Sequence, residues 1–191
     1  MNLYAHAVII AGGKSSRMGK DKALLPFGKE TNLTEYQYKK LKKLFHTVFI
    51  SAKENKFDFD CHIITDVYHD TSPLVGIISI FETLKEVDAI FILSVDAPFV
   101  DKIVIDKIME EKDDNADVII AKSPAGVQPL CGLYKKSILS LAYTQYQKGN
   151  HKLQDLLALA QSKTIHFKED TPFTNLNHPK EYEEALKIKL N

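Results

Sequence analysis

The 191-residue sequence has no apolar run that approaches the length of a membrane span, so no membrane partner is expected. It has no excess of either charge, because 25 Lys and Arg balance 25 Asp and Glu. Nucleic-acid binders are commonly basic, and this balance argues against a nucleic-acid partner. Only two cysteines occur, Cys61 and Cys131, and neither belongs to a C-x-x-C pair. Such usage fits inert packing thiols in a reducing cytoplasm. The first residues, Met1 to His6, lack the basic-then-apolar signature of a signal peptide, which again leads to the expectation of a cytoplasmic protein. There is no internal repeat, low-complexity tract or Pro/Gly/Ser-rich linker. A single domain over residues 1–191 is therefore expected, and a monomer, since no sustained apolar heptad repeat stands out. At 45% hydrophobic and 26% charged residues, the composition is that of a globular chain and excludes disorder.

Several catalytic signatures are missing too. The seven histidines show no H-E-x-x-H or comparable ligand spacing, and none is assigned to chemistry. No G-x-S-x-G is present. A Walker loop needs four residues between its glycines and then Lys-Ser/Thr; here five separate Gly13 from Gly19, and Lys20-Asp21 follows. The dinucleotide fingerprint G-x-G-x-x-G is also absent.

What the chain does have is concentrated near its start. Val8-Ile9-Ile10-Ala11 reads as a buried strand that ends in Gly12-Gly13, followed by Ser15-Ser16, Arg17, Lys20 and Lys22. Two glycines let the backbone turn sharply and approach a ligand with no Cβ in the way. Successive N–H groups in such a turn form an anion-binding concavity, and the nearby cations add positive charge around it. The expected guest is a polyphosphate.

Short apolar runs alternate with helical patterns along the rest of the chain. Strands are predicted at 7–11, 47–52, 62–65, 89–95, 117–121 and 130–134, with a weaker one near 164–167. Helices are predicted at 34–45, 74–86, 102–111, 136–148, 152–161 and 180–190. This alternation implies βαβ units: an α/β fold, a single three-layer Rossmann-like domain with a mainly parallel sheet and helices on both faces. Ligands of such sheets sit beyond the carboxyl ends of the strands. The first four strands end at Gly12-Gly13, Ser51, Asp66 and Asp96, which should then face one cleft. The lysine-rich segment 39–43 reads as a solvated helix face.

Asp96 follows the buried run Phe91-Ile92-Leu93-Ser94-Val95. A carboxylate there is desolvated unless paired, and Mg²⁺ is an efficient partner that needs only one or two carboxylates beside substrate phosphates. The competing reading is a turn or helix-capping aspartate, since Pro98 and a helix follow. Asp66 has the same strand-end context and could hold a ribose, a base edge or nothing. Thr71 to Ile77 reads as a turn opening a helix, with Gly76 allowing close approach.

Taken together, Ile10-Ala11-Gly12-Gly13-Lys14-Ser15-Ser16-Arg17-Met18-Gly19-Lys20-Asp21-Lys22-Ala23-Leu24-Leu25 resembles the N-terminal signature of Rossmann-like nucleotidyltransferases. Within that group the chain looks most like the molybdenum cofactor guanylyltransferases, which join GMP to molybdopterin. The segments Pro73 to Ile77, Asp96 to Phe99, Gln128 to Tyr134 and Asn175 to Pro179 all have counterparts there, so the resemblance covers nearly the whole chain. It implies GTP binding by Ile10, Ala11, Gly12, Gly13, Lys22, Asp66 and Asp96, with Mg²⁺ on Asp96. It implies catalytic roles for Arg17, Lys22 and Asp96, and an acceptor-side role for Asn175 and Asn177. Implied partners are GTP, molybdopterin or its molybdenum-loaded form, and proteins of molybdenum insertion and molybdoenzyme maturation. Two positions depart from the family pattern: Ser51, where asparagine is common, and Ser72, where glycine is. The residues themselves leave two alternatives open. One is a cytidylyl- or sugar-phosphate nucleotidyltransferase, and the other is a nucleotide-binding regulatory module without catalysis.

Overall fold

Strand β1 (Tyr4–Ile10) sends alternate side chains to opposite sides, as the pleat requires. Ala7 and Ile9 join one apolar cluster, while Val8 and Ile10 join a second. Both faces of the sheet are thus covered, which is why the stretch Ala89 to Leu93 is apolar without alternation. In this computed structural model, residues 3–12, 19–111 and 113–190 are described. After β1 the elements run α1 (Leu33–Leu41), β2 (Phe45–Ala52), β3 (His62–Thr65), α2 (Pro73–Thr83), β4 (Ala89–Ser94) and α3 (Lys102–Met109). Then follow β5 (Val118–Ser123), β6 (Gly126–Lys135), α4 (Leu139–Gln147), α5 (Leu153–Leu159), β7 (Ser162–His166) and α6 (Pro179–Leu190). A 3₁₀ turn spans Lys22–Leu24.

The strands form one seven-stranded sheet in the order β3-β2-β1-β4-β6-β5-β7. Among them β6 alone is antiparallel to its neighbours. Buried residues of α1, α3 and α6 pack in the first cluster, and those of α2, α4 and α5 in the second. The expected single Rossmann-like domain, mainly parallel with helices on both faces, is the observed one. In the register Ile10 stands opposite both Ser51 and Ser94, and Ser51 opposite Ile64. The carboxyl ends of β1 to β4 therefore line up along one edge.

Three local expectations need correction. The first helix ends at Leu41, not at Phe45. A turn closed by Leu44 N–H on Leu41 O follows it, and Phe45 opens β2, fully buried with its ring stacked on Phe91 at 5.5 Å. Burial of that ring in the sheet outweighs continuation of the helix. The lysine-rich segment is not uniformly solvated either, because Lys40 donates to the carbonyls of Pro98 and Val100 at 3.0 and 2.7 Å. The predicted strand 130–134 begins earlier, at Gly126, whose φ of +129° makes the hairpin with β5.

One glycine of this hairpin is required by space. A Cβ on Gly132 would lie 2.6 Å from the carbonyl oxygen of Ile119, so the backbone itself would have to shift. Overpacking of this kind costs about 1–3 kcal/mol. Gly132→Ala is expected to lower the melting temperature by several degrees in a calorimetric scan, at about 2–4 °C per kcal/mol for a chain of this size. An unchanged melting temperature would contradict the packing described.

Candidate active site

Asp21 explains how Lys22 is presented. Its Oδ1 accepts the Ala23 N–H at 3.0 Å and caps the 3₁₀ turn, and its other oxygen is paired with Lys56. The turn aims the Lys22 ammonium at the end of β4. There Nζ donates to Asp96 Oδ2 at 2.7 Å and to Asn177 Oδ1 at 3.1 Å. The other Asp96 oxygen, Oδ1, accepts the Ser94 hydroxyl at 2.6 Å. Lys22 and Asp96 are each only 16% exposed at the side chain, so their pairing is sheltered from water. Capping of the following helix falls to Asp101, whose Oδ1 accepts the Val104 N–H at 3.0 Å. The capping alternative for Asp96 is thereby removed, and its carboxylate belongs to the cleft.

The segment 175–178 closes the arrangement from the far end of the chain. Leu176 N–H donates to the Asp96 main-chain carbonyl at 2.9 Å. Glu181 Oε2 accepts the N–H groups of Asn177 and His178 at 2.6 and 2.9 Å, which holds Asn177 over Lys22. Asn177 thus stands on the charged pair, whereas Asn175 lines a larger cavity beside it.

Two cavities meet at Asp96, and Lys22 lines the smaller of them. One of about 190 Å³ is lined by Ile10, Ala11, Gly12, Asp21, Lys22 and Asp96. The other, about 420 Å³, has an apolar floor of Val100, Leu130, Cys131, Leu153 and Phe173, with Gln128, His151, Lys152, Gln154 and Asn175 as polar groups. Pro73, Ser94, Asp96 and Leu130 line both. A small cavity at the end of β1 that holds the Lys22–Asp96 ion pair and a larger, mostly apolar one thus share a carboxylate. That is the layout needed to bring two substrates together.

The sequence-predicted residues divide as follows. Ile10, Ala11, Gly12, Lys22 and Asp96 are brought together; Gly13 and Arg17 lie outside the described residues. Asp66 follows β3, the edge strand of the sheet, and lines neither cavity. It is half-buried, and burial pushes its carboxyl above the ordinary range, opposed by the charge of Lys53. Cys131 is buried, and burial pushes its thiol up to about 12, consistent with the inert role expected of it.

Sequence reading missed Ser94 and His151. Ser94 had a legible signal, because it places a hydroxyl at the end of the apolar run two residues before Asp96. His151 had none, since its place on the cavity wall depends on the α4–α5 connection meeting Ser72. The Ser72 hydroxyl caps α2 through the Val75 N–H at 3.2 Å and lies 2.9 Å from His151 Nδ1. Ser51, the other departure, is 2% exposed, and a Cβ on Gly76 would lie 3.3 Å from its Oγ.

The chain matches known proteins over most of its length. A family model described as the MobA-like NTP transferase domain matches residues 7–165. The chain is 37% identical over 187 residues to a molybdenum cofactor guanylyltransferase of Campylobacter jejuni, covering 97% of this chain and 96% of that one. It is 37% identical over 187 residues to the enzyme of the same name from Helicobacter pylori, covering 95% and 91%. Among solved structures, molybdopterin-guanine dinucleotide biosynthesis protein A from Archaeoglobus fulgidus superposes with a TM-score of 0.81 at 19% identity, over 96% of this chain and 97% of that one.

Proposed function

Because the chain belongs to the MobA-like NTP transferase family and is a nucleotidyltransferase, we infer that it transfers GMP from GTP to the phosphate of molybdopterin, releasing pyrophosphate. The observation that carries this reading is the meeting of the two cavities at Asp96, whose carboxylate is paired with Lys22 in the smaller one. The small cavity, lined by Gly12 and Lys22, takes the triphosphate. The larger one suits an acceptor with an extended, partly apolar ring system and polar edges that Gln128, His151, Lys152 and Asn175 can meet.

The acceptor phosphate is already an anionic nucleophile, so the reaction needs no general base. One of its oxygens bonds to the α-phosphorus, the bond from that phosphorus to the β-bridging oxygen breaks, and the electron pair leaves with pyrophosphate. The barrier lies in bringing two polyanions together, so positioning and preorganised charge carry the catalysis. Lys22 stabilises charge developing on the α-phosphate, and the backbone at Gly12, with Arg17, binds the β- and γ-phosphates. Asn177 and Asp96 hold the Lys22 ammonium ready between two oxygens until the nucleotide arrives.

The donor set fits Mg²⁺. Asp96 is a hard oxygen donor at the wall shared by both cavities, with the Lys22 ammonium on Oδ2 and the Ser94 hydroxyl on Oδ1, and each carboxylate oxygen keeps a further lone pair for a cation brought in with substrate phosphates. Such an ion takes most of its ligands from substrate phosphates and water. Asp96 would hold it, and a bound Mg²⁺ would supply charge neutralisation on the phosphate oxygens.

Base choice is tested by thermal shift with Mg²⁺ and GTP, CTP or UTP in parallel. GTP is expected to raise the melting temperature selectively, because only a nucleotide that binds the native state stabilises it. Selective stabilisation by CTP or UTP would replace guanylyl transfer with cytidylyl or uridylyl transfer on the same site.

A further inference from the structure

Helix α1 carries Thr34, Gln37 and Lys40 at intervals of three, a spacing that sets them along one stripe. Thr34 and Gln37 are fully buried, which is unusual for polar side chains. Each of the three donates to main-chain carbonyls in segments that carry the site. Thr34 Oγ1 reaches Ala23 O at 2.9 Å, one residue after Lys22. Gln37 Nε2 reaches Ser94 O at 3.4 Å and Val95 O at 3.3 Å, immediately before Asp96. Lys40 Nζ reaches Pro98 O and Val100 O on the turn that leaves Asp96. The start of α1 is tied in as well, by Leu33 N–H on Leu25 O at 2.7 Å.

Gln37 Oε1 is buried and has no hydrogen-bond partner among the described residues. An unpaired buried acceptor is a stability liability that an apolar side chain of similar size avoids. The amide is therefore explained by its N–H groups and the two carbonyls they hold. Lys22 and Asp96 lie 74 positions apart in the chain, and α1 is one rigid rod bonded to the backbone beside both.

We propose that the stripe Thr34–Gln37–Lys40 is a positioning device that sets Lys22 and Asp96 at their working separation, with Gln37 governing Asp96 and Thr34 governing Lys22. These residues touch no substrate and act through the pair. The proposal rests on the transferase reading above, in which Asp96 meets Mg²⁺ and Lys22 meets the nucleotide.

The test compares wild type with Gln37→Met, which keeps length and loses the N–H donors, and with Thr34→Val, which loses only the hydroxyl. Three quantities are measured: the Mg²⁺ midpoint of the GTP-induced thermal shift, kcat, and the melting temperature without ligand. Substitutions behind a metal ligand typically cost about 10–100-fold in metal affinity or activity. Gln37→Met is expected to raise the Mg²⁺ midpoint and lower kcat in that range, with KM for the acceptor unchanged. Thr34→Val is expected to lower kcat with the Mg²⁺ midpoint near wild type. A folded Gln37→Met with wild-type Mg²⁺ midpoint and kcat, altered only in melting temperature, would overturn the proposal. If Gln37→Met fails to fold, a folded Thr34→Val with wild-type kcat overturns it instead. A wild-type protein without any Mg²⁺-dependent GTP shift would overturn the transferase reading itself, so the two failures are separable.

Discussion

Asp96→Ala is expected to give a folded protein that has lost about 10²–10³-fold in turnover, by analogy with removal of one preorganised charge contact from an active site. The fold should survive because, among the described residues, the substituted side chain bonds Ser94 and Lys22 alone. The bond that docks the C-terminal segment is made by the Asp96 main-chain carbonyl to Leu176 N–H, and alanine keeps it. What disappears is the one carboxylate that, among the described residues, lines both cavities. The Mg²⁺ concentration needed for half-maximal turnover should rise along with the loss in kcat. Steady-state pyrophosphate release across a Mg²⁺ titration measures both. Turnover close to wild type at saturating GTP and Mg²⁺ would show that Asp96 is not the group that meets the metal-bound nucleotide.

Lys22→Ala is expected to lose turnover by a similar factor, about 10²–10³-fold, for a different reason. The ammonium sits between Asp96 Oδ2 and Asn177 Oδ1, already oriented, so little reorganisation is needed when it meets the α-phosphate. Its removal should weaken GTP binding as well as slow transfer, since its charge serves the ground state too. The double variant Lys22→Ala with Asp96→Ala should be less impaired than the product of the two single losses, because groups that act as one unit are not additive. Single-turnover kinetics with pre-bound GTP separates the chemical step from binding. A Lys22→Ala enzyme with unchanged single-turnover rate would exclude the role assigned here.

The sheet was legible because its strands are apolar runs interrupted by strong breaks, and because helical patterns separate them. Its one antiparallel strand was not. Nothing in Leu130 to Tyr134 distinguishes direction, which is set by the short connection from β5 through Gly126. The end of α1 was misjudged since Leu44 and Phe45 continue a helical spacing while serving the sheet. Within the site, Gly12, Lys22 and Asp96 could be named because their residue types demand an explanation at strand ends. Their mutual geometry could not, because it depends on α1 and on residues 175–178, far away in the chain. Gln37 shows the same limit. In sequence it is one polar residue on a helix, and its position beneath the β4 terminus exists only in the folded state.

The central claim is that two substrates react across the Lys22–Asp96 pair by guanylyl transfer. Incubating the purified protein with GTP, Mg²⁺ and molybdopterin, and quantifying pyrophosphate together with the guanine dinucleotide product, tests it directly. One pyrophosphate per dinucleotide is predicted, dependent on Mg²⁺ and on the acceptor, with GTP as the productive nucleotide. Binding of GTP with no pyrophosphate released in the presence of acceptor would contradict it and leave a nucleotide-binding module without catalysis.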